Sequence, residues 1–251
     1  MRTCFSFILS MLMISVVSPL FGAPFSFDDH FTDPALFGWQ KVTQNVQSSQ
    51  ETVSGSMLTV SSITQTPGTP AGGYARVSFS HYIGYNVTDL HVRWNIAWTQ
   101  QNSSYVQDMY ITVGALKIAF GVGDVFTNNQ PYLLYKINDS WFTGGYVSYN
   151  GSGYADITYN DATNNLTITW NGSQTLYSGS YSAVNTDLDY ITMTFQKQIV
   201  SGANFGTLST DRIFIEGNGT PLISEQPVPE PCSLLLVICS CIPLFLRKRL
   251  L

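Results

Sequence analysis

The ten residues from Leu90 to Thr99, LHVRWNIAWT, place large apolar side chains at every second position. Val92, Trp94, Ile96 and Trp98 fall on one side; His91, Arg93, Asn95 and Ala97 fall on the other. A period of two fits only an extended chain, because successive side chains of a strand point to opposite faces. One face here is apolar enough to belong to a core. The pattern recurs: Met109–Val113 and Leu116–Val122 follow, divided by Gly114-Ala115, then Tyr132–Ile137 and Gly145–Tyr149. Ala155–Tyr159 and Leu166–Trp170 flank the turn-rich stretch from Asn160 to Asn165, which predicts a hairpin. Tyr190–Lys197 and Arg212–Glu216 complete the set. No long segment carries capped helical periodicity. Connections this short cannot make parallel crossovers. The expected fold is all-β, an antiparallel sandwich or barrel.

The two ends read differently. Met1-Arg2, the apolar run Phe5–Val17 and the small-residue exit Ser18–Ala23 have the three-part layout of a secretory signal peptide, residues 1–23. At the other end, Cys232–Leu246 is an apolar run of 15 residues, shorter than the roughly 20 that usually cross a bilayer. Arg247, Lys248 and Arg249 close it, and positive residues stay cytoplasmic, so the preceding domain is expected outside. That leaves a domain at 24–216, a linker at 217–227 carrying Pro221 and Pro227, and a tail at 228–251. All four cysteines lie in the end segments, so no disulfide is expected in the domain. Its bases are few and scattered among more numerous aspartates, which gives no electrostatic footprint for nucleic acid.

Val228-Pro229-Glu230-Pro231, the apolar run and Arg247-Lys248-Arg249 stand in an order that resembles the PEP-CTERM sorting signal of Gram-negative and related bacteria. The resemblance implies secretion, transient membrane anchoring, and recognition by an exosortase that cleaves near Pro-Glu-Pro. It also implies a place at the cell envelope or among exopolysaccharides. Cys232 departs from the pattern, where a small polar residue is commoner. The plainer reading is a simple anchor with a positive stop. The body resembles concanavalin-A-like (laminin-G-like) jelly-roll sandwiches. Phe27-Asp28-Asp29-His30-Phe31 with Trp39 looks like a first strand, Ile157–Gly172 like an internal hairpin, and Asp211–Ile215 like a closing strand that pairs with the first.

Chemistry is sparse. Glycosidases on this sandwich set carboxylates at alternate positions of one strand, but Glu51, Glu216 and Glu225 are far apart. Asp187 and Asp189 would share a strand face about 6.6 Å apart, which keeps a divergent glycan-active enzyme open as an alternative. His30, His81 and His91 show no metal-ligand spacing, and no nucleophile motif occurs. Asp28 and Asp29 in the first strand and Asp211 in the last form a candidate Ca²⁺ set if those strands pair; ordinary edge aspartates are the competing reading. Aromatics supply the remaining candidates. Trp94 and Trp98 share a face with valine and isoleucine, as core residues do. Trp141, Tyr146 and Trp170 are the candidate ring faces for a sugar. The expected function is a non-catalytic, glycan-binding export module.

Overall fold

The computed structural model describes residues 22–69, 73–99, 107–123, 131–198 and 206–222. The signal-peptide reading up to residue 21 and the sorting tail from Val228 lie outside the described residues. Fourteen strands are described: β1 (Ala23–Asp29), β2 (Trp39–Gln44), β3 (Val46–Val53), β4 (Leu58–Gln65), β5 (Tyr74–Thr99), β6 (Gln107–Val113), β7 (Ile118–Gly123), β8 (Tyr132–Ile137), β9 (Ser140–Tyr146), β10 (Asn150–Asn160), β11 (Asn165–Trp170), β12 (Gln174–Ser180), β13 (Asp187–Gln198) and β14 (Thr207–Pro221). Their pairings are all antiparallel. A 3-10 turn at Gly114–Leu116 is the only helical element among the described residues. No helix among them is long and apolar enough to cross a membrane.

The 26-residue β5 organises the rest. Its first half pairs with β2 and β13; its second half pairs with β10 and β14. Gly84, between the halves, has φ +75°, a backbone state that side chains disfavour. One strand thus serves two sheets. The first runs β2-β5-β13-β6-β7-β8-β9. The second runs β12-β11-β10-β5-β14, with β1 and β4 along the far edge of β14 and β3 beyond β4. As the resemblance implied, the first strand pairs with the last, with Phe27 opposite Ile215.

Period-two alternation then sorts the side chains. Val77, Phe79, Ile111, Phe120, Met193 and Phe195 come inward from the first sheet, and Val92, Trp94, Ile96, Ile157, Ile168, Ile213 and Ile215 from the second. They form a single apolar cluster. Phe120 stacks on Trp170 across the interior, ring centres 5.7 Å apart and 20° from parallel. Trp94 and Trp98 are buried, as their alternation predicts. The indole N–H of Trp94 donates to the Thr210 hydroxyl at 3.0 Å, and that hydroxyl donates to the Asn95 carbonyl at 2.8 Å. A polar pair can therefore sit in the core without an unmet hydrogen bond.

Several boundaries and strands differ from expectation. β9 begins at Ser140, not Gly145, because Asn138 and Asp139 hold φ of 49° and 66° and make a tight two-residue hairpin after Ile137. β14 runs to Pro221, so five residues expected as linker are strand: Gly217 pairs with Phe25 and Gly219 with Ala23. β2 to β4 and β12 are polar, Ser-, Thr- and Gln-containing strands for which alternation gave no warning.

Candidate functional site

The outer face of the first sheet carries the most promising geometry. Its strand β7 turns only Ala119, Gly121 and Gly123 outward, so side chains of β6 and β8 flank a nearly bare strand. A Cβ on Gly121 would collide with the Met109 carbonyl and Tyr110, and one on Gly123 with the Asp108 carboxylate. The bare strand is thus a packing requirement of its neighbours. Asp108 and Tyr110 project from β6, Gln196 from β13, Arg76 and Tyr74 from β5, Leu134 from β8 and Trp141 from β9, around a depression of about 200 Å³.

Two features set this depression apart. The first is an aromatic corner: Tyr110 and Trp141 meet edge to face, ring centres 5.4 Å apart and planes at 73°. The second is unmet polarity. Gln196 is only 6% exposed and Asp108 only 2%, although both stand on an outward face. The Gln196 amide N–H donates to Asp108 at 2.6 Å, which leaves the amide oxygen with no partner among the described residues. The Arg76 Nε–H has none either, though its Nη1 reaches Gln44 at 3.5 Å. A buried acceptor and a buried donor left without partners cost free energy unless something fills them. Beside them, Ser78 bonds Thr194 at 3.1 Å and Ser80 bonds Thr192 at 2.9 Å, a hydroxyl ladder across β5 and β13.

The other candidates fall as follows. Trp141 lies in this depression, on a strand and not in a turn. Tyr146 is 64% exposed on the same face, its ring centre 4.3 Å from that of Tyr132. Trp170 is a correction: at 7% exposure and stacked on Phe120, it is a core residue with no face open to a ligand. The Ca²⁺ set is also corrected. Asp28 is gripped by Arg212 through two 2.9 Å bonds, while Asp29 accepts from the Phe31 amide at 2.6 Å and the Trp39 indole at 2.7 Å. Asp211 lies elsewhere, in a shallow hollow beside Asn95 and Tyr154. Among the described residues no group of three His, Cys, Asp or Glu side chains is placed to hold a metal ion. The Asp187/Asp189 pair dissolves as well. The strand bulges at Asp189, which breaks the alternation, and Asp187 accepts from the Asn86 amide at 2.7 Å.

The outer face of the second sheet bears a larger open hollow, about 700 Å³, beside His91 and Glu216. Its charged side chains and Asn218 are already paired. His91 faces Glu216 at 3.1 Å and Asp156 at 2.9 Å, and Asp89 accepts from Asn218 at 3.0 and 3.1 Å. Arg93 forks onto Asp156 at 2.8 and 3.1 Å and lies over the Tyr154 ring. These groups serve each other. Partial burial pushes the Asp156 carboxyl up, but hydrogen bonds from Arg93 and His91 outweigh it and hold the group below its usual range. Its folded pKa is therefore depressed. The stabilisation is present above the unfolded pKa and is lost as pH falls through the folded value. Asp156→Asn is expected to cost about 1 kcal/mol at neutral pH, a modest figure because Arg93 is partly exposed and screened. The gap in melting temperature between variant and parent should close as pH falls below about 4; a gap that persists in acid would refute the ion-pair account.

No protein-family model matches this sequence, and no curated protein does. Solved structures do. The carbohydrate recognition domain of Emp47p superposes with TM-score 0.53 at 11% identity, over 78% of this chain and 95% of that one. Lectin UEA-II, solved with galactose, gives 0.52 at 12%, over 77% and 98%. What they share with this chain is the fold, an antiparallel β-sandwich. A structure reported for endo-acting O-glycanases of the human gut microbiota that initiate mucin breakdown gives 0.51 at 10%, over 76% and 98%. Binding domains and enzymes share this architecture, so function has to be argued from the site.

Asp108, Gln196, Arg76 and Tyr110 were not among the residues singled out from sequence. Asp108, Tyr110 and Thr112 do share strand parity, a signal available in advance. Which strands bring Arg76 and Gln196 to them is a matter of topology.

Proposed function

We propose that this chain is an exported, non-catalytic glycan-binding sandwich, using the depression between Trp141 and Gln196, and that its tail is a PEP-CTERM signal processed by an exosortase. One observation carries the binding reading: the Tyr110–Trp141 corner stands beside a buried acceptor, Gln196 Oε1, and a buried donor, Arg76 Nε, that lack partners among the described residues. A sugar answers both demands. Its C–H face packs on an aromatic ring, and each hydroxyl donates to an acceptor and accepts from a donor. The lectin-type fold supports the reading without assigning the site. Binding is favoured over hydrolysis because Asp108 is the one carboxylate among the described lining residues, whereas glycoside hydrolysis commonly needs two. Export to the envelope or exopolysaccharide follows from the end segments read in sequence.

The test is affinity electrophoresis of the purified protein through gels containing xylan, laminarin, dextran or alginate. Retardation by at least one is expected. Trp141→Ala should weaken that binding about tenfold or more, equivalent to roughly 1.4 kcal/mol, while Trp141→Phe keeps most of it. Binding that survives Trp141→Ala unchanged would remove the site from this depression.

A further inference from the structure

We infer that the ligand is a polysaccharide chain held along its length, crossing the outer face of the first sheet obliquely from Tyr146 to Tyr82. This rests on the glycan-binding reading and concerns its mode. Three aromatic pairs stand on that face: Tyr132–Tyr146 at 4.3 Å, Tyr110–Trp141 at 5.4 Å and Tyr82–Tyr190 at 5.3 Å between ring centres. The outermost rings are among the most exposed large apolar side chains described, with Tyr146 64%, Tyr82 44% and Tyr190 45% accessible. Exposed aromatic pairs along one line mark a contact surface better than isolated ones do.

Register fixes the line. Tyr146 lies opposite Tyr132, which pairs with Gly123 at one end of β7. Trp141 lies opposite Lys136, and Tyr110 opposite Gly121 and Thr194, nearer the middle of the strands. Tyr82 and Tyr190 pair at the other end of β5 and β13. With strands about 4.8 Å apart and a rise of about 3.4 Å per residue, successive pairs are about 11 and 17 Å apart, and the whole path is about 28 Å. One sugar ring cannot span it. The longer gap is not empty: Thr112 and the bonded Thr192–Ser80 hydroxyls occupy it. The outward positions of β7, Ala119, Gly121 and Gly123, carry at most a methyl group and are themselves buried, so the contact surface between the flanking strands is the Tyr110–Trp141 ring pair. An end-on site needs a closed pocket around a chain terminus; the described part of this face is a sequence of platforms.

The experiment is calorimetric titration of the full chain with cello-, xylo-, laminari- and alginate oligosaccharides, from disaccharide to hexasaccharide. In whichever series binds, the hexasaccharide is expected to bind at least tenfold more tightly than the disaccharide. The double variant Tyr82→Ala/Tyr190→Ala should abolish the part of that advantage gained between tetrasaccharide and hexasaccharide and leave disaccharide binding unchanged. Tyr82→Phe/Tyr190→Phe, which keeps both rings, should retain it and so controls for folding. Equal affinity across lengths, or a gain from tetrasaccharide to hexasaccharide that survives the alanine pair, overturns the chain-binding mode while leaving the Trp141 site standing. Absence of binding in all four series overturns the glycan reading and this inference together.

Discussion

Trp94→Ala is expected to lower the stability of the sandwich by about 4 kcal/mol, within the range for emptying a core tryptophan site. The indole is fully buried in the second half of β5, opposite Ile213 of β14 and Ala155 of β10. The loss of area is compounded by the loss of the donor to Thr210, itself buried. For a domain of this length the change corresponds to a fall in melting temperature of roughly 8–16 °C. Urea titration should show a lower midpoint with an unchanged slope. A cost below about 1.5 kcal/mol would mean that the second sheet does not pack as described. Trp141→Ala on the outer face should be far milder in the same assay, which separates a structural tryptophan from a contacting one.

The second large effect concerns location. Deleting 228–251 is expected to move the protein from the membrane fraction to the soluble one, since the domain preceding it offers no comparable apolar run. In a host carrying an exosortase, the intact chain should lose roughly its last 24 residues. On sequence alone, Pro229 and Pro231 disfavour helix, and a non-helical segment is what a protease would accept. Glu230→Ala with Pro231→Ala should leave the full-length chain in the membrane. Mass spectrometry of the mature C-terminus decides it: Leu251 retained in such a host reduces the tail to an anchor.

Sequence alternation carried the fold class because it is a local property. Leu90–Thr99 assigned its own buried face residue by residue, and the strands flanking Asn160–Asn165 paired as the expected hairpin. The same rule, applied to Leu166, Ile168 and Trp170, already placed that tryptophan inward, against its reading as a ligand contact. β3 and β4 escaped notice because VQSSQETV and LTVSSITQ hold too few large apolar residues to display a period. The candidate site was hidden for a different reason. Arg76, Asp108 and Gln196 are brought level only by the order β5-β13-β6, and strand order is written in no single segment. The calcium reading failed on partners: spacing shows where Asp28 is, but not that Arg212 has already taken it.

The meeting of the first and last strands has a kinetic corollary. Phe27 finds Ile215 only after nearly the whole domain has been made, and β5, shared by both sheets, gains its β13 and β14 neighbours equally late. Contacts so distant in sequence close large loops before they return any stabilisation, which makes such topologies slow to fold. A partly synthesised chain therefore lacks the pairings that complete either sheet. It stays threadable until its final strand appears, a useful property for any polypeptide that must pass through a narrow channel before it takes shape.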